Sequence, residues 1–159
     1  MRDKRVLILA FIVLFTFAFI NDSFGQNIKS SADYIYVIPV KGVINRGLAA
    51  FVTRMIGEAE KAGAKALIFE IDTPGGEVGA AIQMSNAILD TFIPTVSFIN
   101  NDATSAGVII AISSKKLVAV PGGTIGAAET RPNEEKYISY WSSALRGVAE
   151  KTGRDPDLV

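Results

Sequence analysis

Short apolar runs alternate along the chain with segments whose apolar residues recur at helical spacing. The runs are rich in β-branched and aromatic residues, which favours strands at Tyr34–Val40, Ala66–Ile71, Thr95–Ile99 and Leu117–Val120. Pro39 stands near the end of the first run. Because proline cannot donate a ladder hydrogen bond, this position indicates an edge strand or a bulge.

The segments between the runs predict helices. Apolar residues recur at helical spacing from Leu48 to Ala59, from Ala81 to Phe92, and from Tyr137 to Ala149, with helix ends expected at Ala62-Gly63, before Pro94 and near Gly153. The stretch Ala103–Ser114 is small and apolar on all sides, which is typical of a buried helix.

This alternation predicts an α/β fold made of right-handed βαβ units on a parallel sheet, with strands buried on both faces. Functional groups of such sheets lie at the carboxyl ends of the strands. We therefore expect the functional residues in the loops that follow Ile71, Ile99 and Val120.

The N-terminus has the pattern of an export signal. Arg2, Lys4 and Arg5 precede the uncharged, almost wholly apolar run Val6–Ile20, and small residues follow at Ser23 and Gly25. The run is shorter than the roughly 20 residues that span a bilayer. We expect residues 1–25 to be a signal peptide cleaved after Gly25, with a retained anchor as the alternative, followed by a linker at 26–33 and one domain at 34–159.

The composition of the chain excludes several kinds of binding and catalytic site. Lys plus Arg and Asp plus Glu are both 16, so no basic surplus favours nucleic acid. The chain has no cysteine and no histidine, which excludes disulfides, thiolate or histidine metal sites and a Ser-His-Asp triad. We expect no metal and no cofactor, and a hydrolase of this composition needs a lysine, a carboxylate or a metal-bound water as its base.

A possible nucleophile follows the third predicted strand. Ser105 would lie at a strand-to-helix turn, where free N–H groups and the helix dipole stabilise an oxyanion. Ala106 and Gly107 are small enough to let a carbonyl approach. The alternative is that Thr104 or Ser105 only caps the helix.

A second backbone donor loop is expected at the same sheet edge. Gly75 and Gly76 follow the second strand and allow the chain to turn its N–H groups inward. An ordinary tight turn is the alternative. A phosphate-binding reading is disfavoured because the G-x-G-x-x-G spacing and the P-loop lysine are missing.

Lys136 is the candidate base. It is the first residue of the last predicted helix and is followed by Tyr137 and Ile138. The helix dipole disfavours a positive charge at this end of a helix. Partial burial and a neutral amine would explain a lysine there. The alternative is a solvated lysine that balances Glu134 and Glu135.

Taken together, the motifs resemble those of the ClpP-class membrane serine proteases of the NfeD type. The resemblance runs from about Tyr34 to the C-terminus and rests on Ile71-Asp72-Thr73-Pro74-Gly75-Gly76, Thr104-Ser105-Ala106-Gly107, Pro121-Gly122-Gly123-Thr124-Ile125-Gly126-Ala127-Ala128, and Ala149 to Gly153-Arg154. Thr104 departs from the family pattern, which mostly has a small apolar residue there.

The resemblance implies a ClpP/crotonase-like spiral of βαβ units and a Ser-Lys dyad of Ser105 and Lys136. It places the oxyanion hole at Gly75 or Gly76 together with the N–H of Ala106. It further implies a homo-oligomer, a membrane-associated peptide or protein substrate such as a stomatin-like protein, and a protease domain that continues beyond Val159 on the outer side of the cytoplasmic membrane.

Other functions remain open at this point. One alternative is a signal peptide peptidase-like protease. Another is a crotonase-fold acyl-CoA enzyme, which uses the same oxyanion loops without a nucleophile but would be separated by export from cytoplasmic CoA esters. A third is a non-catalytic assembly module.

The signal pattern makes the first testable prediction. Expressed with its own N-terminus, the protein should be exported and should begin after Gly25, which N-terminal sequencing of the recovered chain measures. A cytoplasmic product that still starts at Met1 would contradict the prediction.

Overall fold

A computed structural model describes residues 34–128 and 134–158 of the chain. The predicted signal peptide at 1–25 and the linker at 26–33 lie outside the described residues. The elements in chain order are β1 (Ile35–Lys41), α1 (Arg46–Ala62), β2 (Ala66–Thr73), α2 (Val78–Asp90), β3 (Thr95–Thr104), α3 (Gly107–Ile112), β4 (Lys116–Ala119), β5 (Thr124–Gly126), α4 (Glu135–Thr152) and a 3-10 turn (Pro156–Leu158).

The strands form one parallel sheet in the order β1-β2-β3-β4, and β5 pairs with the second half of β3. The register places Val40 opposite Ile71 and Ile71 opposite Ile99, so the strands end at a common edge. The α/β fold of parallel βαβ units is therefore confirmed, and Pro39 lies in an edge strand as expected.

One prediction about the sheet is wrong. The strands are buried on one face rather than on both, because burial alternates residue by residue along β2 and much of β1 and β3. Leu67, Phe69 and Ile71 are fully buried and belong to the same core as the inner residues of the helices. On the opposite face Val37 and Val118 are about half exposed, at 55% and 49%.

Helix ends follow the expected capping chemistry. Gly63 and Gly153 end α1 and α4 in the left-handed conformation, with φ of 69° and 73°, and their N–H groups return to carbonyls of the last turn. Asn45 caps the start of α1 by accepting a hydrogen bond from the Leu48 N–H at 2.9 Å.

The end of β3 and the start of α3, on either side of Ser105, differ from the prediction. β3 continues through Asn100, Asn101 and Asp102 to Thr104, so the buried helix α3 begins only at Gly107. The strand β5 at Thr124–Gly126 was not predicted, and it pairs with this extension. Ser105 therefore stands directly between a strand and a helix.

Two polar contacts hold α4 and the residues after it to the segment that follows β5 and to the end of α3. The Trp141 indole N–H donates to the Ala128 carbonyl at 2.6 Å, and the Arg154 guanidinium donates to the Ile112 carbonyl at 2.9 Å. Burial lowers the pKa of Arg154 from its ordinary value, yet an arginine stays cationic at neutral pH. Its charge complements the carbonyl end of α3, the helix that begins beside Ser105.

No helix within residues 34–128 and 134–158 combines the length and the apolar character that crossing a bilayer requires.

Candidate active site

The loops that follow β1 and β2 are joined by backbone hydrogen bonds at the carboxyl edge of the sheet. The Gly42 N–H donates to the Asp72 carbonyl, the Ile44 N–H to the Gly75 carbonyl, and the Glu77 N–H to the Ile44 carbonyl, each at 2.9 Å. Ile44 and Gly76 form an isolated parallel bridge. The glycine loop is thus an ordered extension of the sheet.

Gly76 lies against the backbone of Ile44. A Cβ at position 76 would stand 2.2 Å from the Ile44 carbonyl oxygen and 2.7 Å from the Ile44 nitrogen, and the φ of Gly76 is 152°. Because neither contact involves a flexible side chain, only glycine allows this approach.

Gly75 contacts the segment around Ser105 from the other side. A Cβ at position 75 would lie 2.7 Å from the Ser105 Cβ and 3.1 Å from the Ala106 nitrogen. The φ of Gly75 is 97°. The loops that follow β2 and β3 therefore meet, and the residues predicted from the sequence at 75, 76, 105 and 106 lie together at this edge.

Ser105 adopts a left-handed backbone conformation, with φ of 54°. Its N–H donates to the Gly126 carbonyl of β5 at 2.9 Å, and its carbonyl accepts from the Val108 N–H at 3.1 Å. A serine in this region is strained by about 1 to 3 kcal/mol and persists only when its surroundings hold it. The turn leaves the serine partly exposed at the start of α3.

The backbone donors at this site are not equivalent. The Gly75 N–H is bonded to the Thr73 hydroxyl at 3.1 Å. The Gly75 carbonyl points at Ile44, so the Gly76 N–H of the same trans peptide points away from Ile44, towards the β3 side where Ser105 lies. Among the hydrogen bonds of the described residues, neither the Gly76 N–H nor the Ala106 N–H has an acceptor.

A polar network crosses the outer face of the sheet beside this edge. The Asn101 amide donates to carboxylate oxygens of Asp72 and Asp102, each at 3.2 Å, and the Thr124 hydroxyl donates to Asp102. These contacts join β2, β3 and β5 next to the loops that carry Gly75 and Ser105. Sequence reasoning missed them because it ended the third strand at Ile99.

The structure places Lys136 in the first turn of α4 with its side chain 69% exposed. The amine pairs with the Glu134 carboxylate at 3.6 Å and lies 4.8 Å from the centroid of the Tyr137 ring. No hydrogen bond between Lys136 and Ser105 occurs among the described residues. Residues 134–140 are all exposed. Lys136 is therefore not partly buried, and it matches the alternative of a solvated lysine that balances Glu134.

Groups of histidine, cysteine, aspartate and glutamate able to hold a metal ion are absent from the described part of the chain. The chemistry that the arrangement itself offers is a partly exposed hydroxyl next to backbone N–H donors. That combination suits the attack of an oxygen nucleophile on a carbonyl.

Comparison with known proteins identifies the family. Residues 34–159 match the model of the NfeD1b N-terminal domain, and the chain belongs to this family. It is 36% identical over 135 residues to the membrane protein NfeD1b of Bacillus subtilis, and 29% identical over 171 residues to the membrane-bound protease PH1510 of Pyrococcus horikoshii. The chain spans only 31% and 36% of the length of these two relatives.

Solved structures agree with this fold. A substrate-peptide complex of a variant of 1510-N, a membrane-bound stomatin-specific protease, matches with a TM-score of 0.73 at 27% identity, over 80% of this chain and 64% of the other. The 1510-N protease of Pyrococcus horikoshii matches with a TM-score of 0.67 at 31% identity, over 78% of this chain and 60% of the other. ClpP1 of Listeria monocytogenes, at 20% identity and a TM-score of 0.67, shares the fold. The ClpP-like spiral of βαβ units is therefore confirmed.

The strain at Ser105 generates a stability prediction. The free energy of unfolding of Ser105→Gly should be about 1 kcal/mol larger than that of Ser105→Ala. Glycine should be the more stable variant because it adopts a positive φ without the steric penalty of a Cβ. Urea unfolding followed by the fluorescence of Trp141, the single tryptophan of the chain, measures the difference.

Ser143 provides the matched control. It is exposed within α4, so at this position glycine should be less stable than alanine by about 1 kcal/mol. Equal stabilities of the Gly and Ala variants at position 105 would show that the left-handed turn is not held in solution.

Proposed function

We propose that this chain is the catalytic part of an exported or membrane-associated serine endopeptidase that uses Ser105 as nucleophile and Lys136 as general base. The observation that carries the proposal is the contact of Gly75 with Ser105 and Ala106. This contact supports a hydroxyl nucleophile beside the N–H groups of Gly76 and Ala106, which have no acceptor among the hydrogen bonds of the described residues.

The proposed reaction begins when Ser105 Oγ attacks the carbonyl carbon of a peptide bond. Negative charge then develops on the carbonyl oxygen, and the N–H groups of Gly76 and Ala106 donate to it. Gly75, which the sequence offered as an alternative donor, serves instead through its small size, since its N–H already donates to Thr73.

Lys136 accepts the proton of Ser105 in this proposal and returns it to the leaving amine. To do so its side chain must leave the pair with Glu134 and reach Ser105 Oγ at hydrogen-bond distance, about 3 Å. Its exposure makes this movement inexpensive, because an exposed ion pair contributes only about 0 to 1 kcal/mol. A substrate that covers the site would also remove water from the amine.

Exposed apolar side chains around the same edge favour a substrate with apolar residues next to the scissile bond. Val43 follows β1, Val78 opens α2 and Ile125 lies in β5, with exposed fractions of 62%, 36% and 45%. The 1510-N relative is specific for a stomatin homologue. We propose a stomatin-like membrane protein as the substrate.

The location and assembly of the protein follow from the same proposal. Residues 1–25 act as the export signal, residues 26–33 as a linker, and the domain at 34–159 works outside the cytoplasmic membrane. The names of both curated relatives describe membrane proteins, which supports this placement. We further propose that the chain works as a homo-oligomer without a metal or cofactor and without nucleic acid.

An acyl-CoA enzyme of the crotonase type would use the same two donors without a serine nucleophile. The left-handed turn at Ser105 favours the peptidase, because the strain is maintained at the residue whose hydroxyl would attack. An assembly module would need neither the strained serine nor the free N–H groups.

The proposed dyad of Ser105 and Lys136 leads to the third prediction. In the full-length enzyme, Ser105→Ala and Lys136→Ala should each abolish cleavage of a peptide substrate, and the double variant should be scarcely slower than either single one because the two groups act as a unit. Lys136→Arg should not restore activity, since a guanidinium cannot accept the serine proton. Initial cleavage rates measure all four.

Lys115→Ala is the control. Lys115 is exposed and lies beyond the end of α3, so its loss should leave the cleavage rate nearly unchanged. If Lys136→Ala kept most of the wild-type rate, the base would have been wrongly assigned.

A further inference from the structure

Thr73 is the last residue of β2, and its side chain is fully buried. It stands two residues before Gly75, between the loops that follow β1 and β3. A buried hydroxyl must find hydrogen-bond partners inside the protein. The two partners of the Thr73 hydroxyl belong to loops of the proposed active site.

The Thr73 hydroxyl bonds to two of these loops. It donates to the Gly42 carbonyl, in the loop after β1, at 2.6 Å. It also accepts from the N–H of Gly75, itself buried, at 3.1 Å. One hydroxyl therefore fixes the glycine loop against the end of the neighbouring strand.

The backbone carbonyl of Thr73 contacts the last residue of β3. It accepts a hydrogen bond from the Thr104 hydroxyl at 3.3 Å. Thr104 directly precedes the nucleophile, so Thr73 connects the glycine loop to the segment that holds Ser105. Thr104 departs from the family pattern, and this contact gives its hydroxyl a role.

The methyl group of Thr73 has a separate task. A Cβ added at Gly107 would lie 2.7 Å from the Thr73 Cγ2, which places the methyl group against the first residue of α3. The hydroxyl and the methyl group of one side chain thus face different neighbours, and substitutions can remove them separately.

We propose that Thr73 is a positioning residue of the oxyanion hole, an inference that rests on the proposed peptidase function. By holding the Gly75 N–H, its hydroxyl sets the orientation of the glycine loop in which the Gly76 N–H faces the carbonyl oxygen of the substrate. Without the hydroxyl, the Gly75 N–H would be buried without a partner, and the loop would rotate to satisfy it.

Two substitutions separate the hydroxyl from the methyl group. Thr73→Val keeps the methyl against Gly107 and loses the hydroxyl, so kcat for a cleaved peptide should fall about 10- to 100-fold with KM nearly unchanged, as expected for a donor displaced in the transition state. Thr73→Ser keeps the hydroxyl, so kcat should stay within a few-fold of wild type, although the chain should unfold more easily.

A second measurement does not depend on activity. Hydrogen–deuterium exchange of the peptide that covers residues 73–77 should be faster in Thr73→Val than in the wild type or in Thr73→Ser, since the Gly75 N–H loses its acceptor. Thr53→Val is the control, because it removes a hydroxyl that donates to the Ala49 carbonyl within α1. It should change neither kcat nor exchange at 73–77.

The outcomes distinguish this inference from the function on which it rests. If wild-type and Ser105→Ala full-length proteins were equally inactive, the peptidase proposal would fail, and the role of Thr73 with it. If the wild type were active, Ser105→Ala inactive and Thr73→Val as fast as the wild type, the positioning role alone would be wrong. A loss of kcat that Thr73→Ser shared would also overturn it, because packing would then explain the effect.

Discussion

The close approach between the backbones of Ile44 and Gly76 is the constraint on which the rest of the site depends. Two extended segments continue the parallel pairing of β1 and β2 beyond the ends of both strands. Any side chain at position 76 would collide with the Ile44 carbonyl. That carbonyl accepts from the Glu77 N–H, and the Gly75 carbonyl accepts from the Ile44 N–H. These bonds order the glycine loop along the edge of the sheet, and the Thr73 hydroxyl holds the Gly75 N–H of the same loop.

The strained turn at Ser105 is held by the same edge. Its N–H bonds to Gly126 in β5, and β5 is held by its pairing with the extended end of β3. On its other side the turn packs against Gly75, where a Cβ would stand 2.7 Å from the Ser105 Cβ. A preorganised site of this kind stabilises charge without rearrangement during the reaction, and its cost in strain is compensated by the surrounding core.

Lys136 differs from the rest of the site in how it is held. Its helix is anchored through Trp141 and Arg154, whereas its own turn is exposed and its amine contacts Glu134 and Tyr137. The strands and their loops thus hold Ser105 and the proposed oxyanion donors, whereas the proposed base lies in an exposed turn.

Much of this arrangement could be predicted from the sequence, for physical reasons. The β-branched runs predict β1 to β4, and the need for positive φ predicts the helix ends at Gly63 and Gly153. The strand β5 and the extension of β3 are not predicted, because Asn101 is polar and its amide is held by the Asp72 carboxylate of the neighbouring strand and by the adjacent Asp102.

One feature of the site lay beyond sequence reasoning. Thr73 resembles any strand threonine until the fold supplies Gly42 and Gly75 as partners of its hydroxyl. For Lys136 the sequence left burial and solvation as alternatives, and the fold selects the solvated lysine paired with Glu134.

The most direct test of the central claim, that Ser105 is an activated nucleophile, is labelling with a fluorophosphonate, which phosphonylates the hydroxyl oxygen of a reactive serine and releases fluoride. Mass spectrometry of the labelled full-length protein identifies the modified residue. We expect the label on Ser105, its complete loss in Ser105→Ala, and none on the buried Ser113 and Ser114. A wild-type protein that stays unlabelled, or that carries the label on another serine, would contradict the claim.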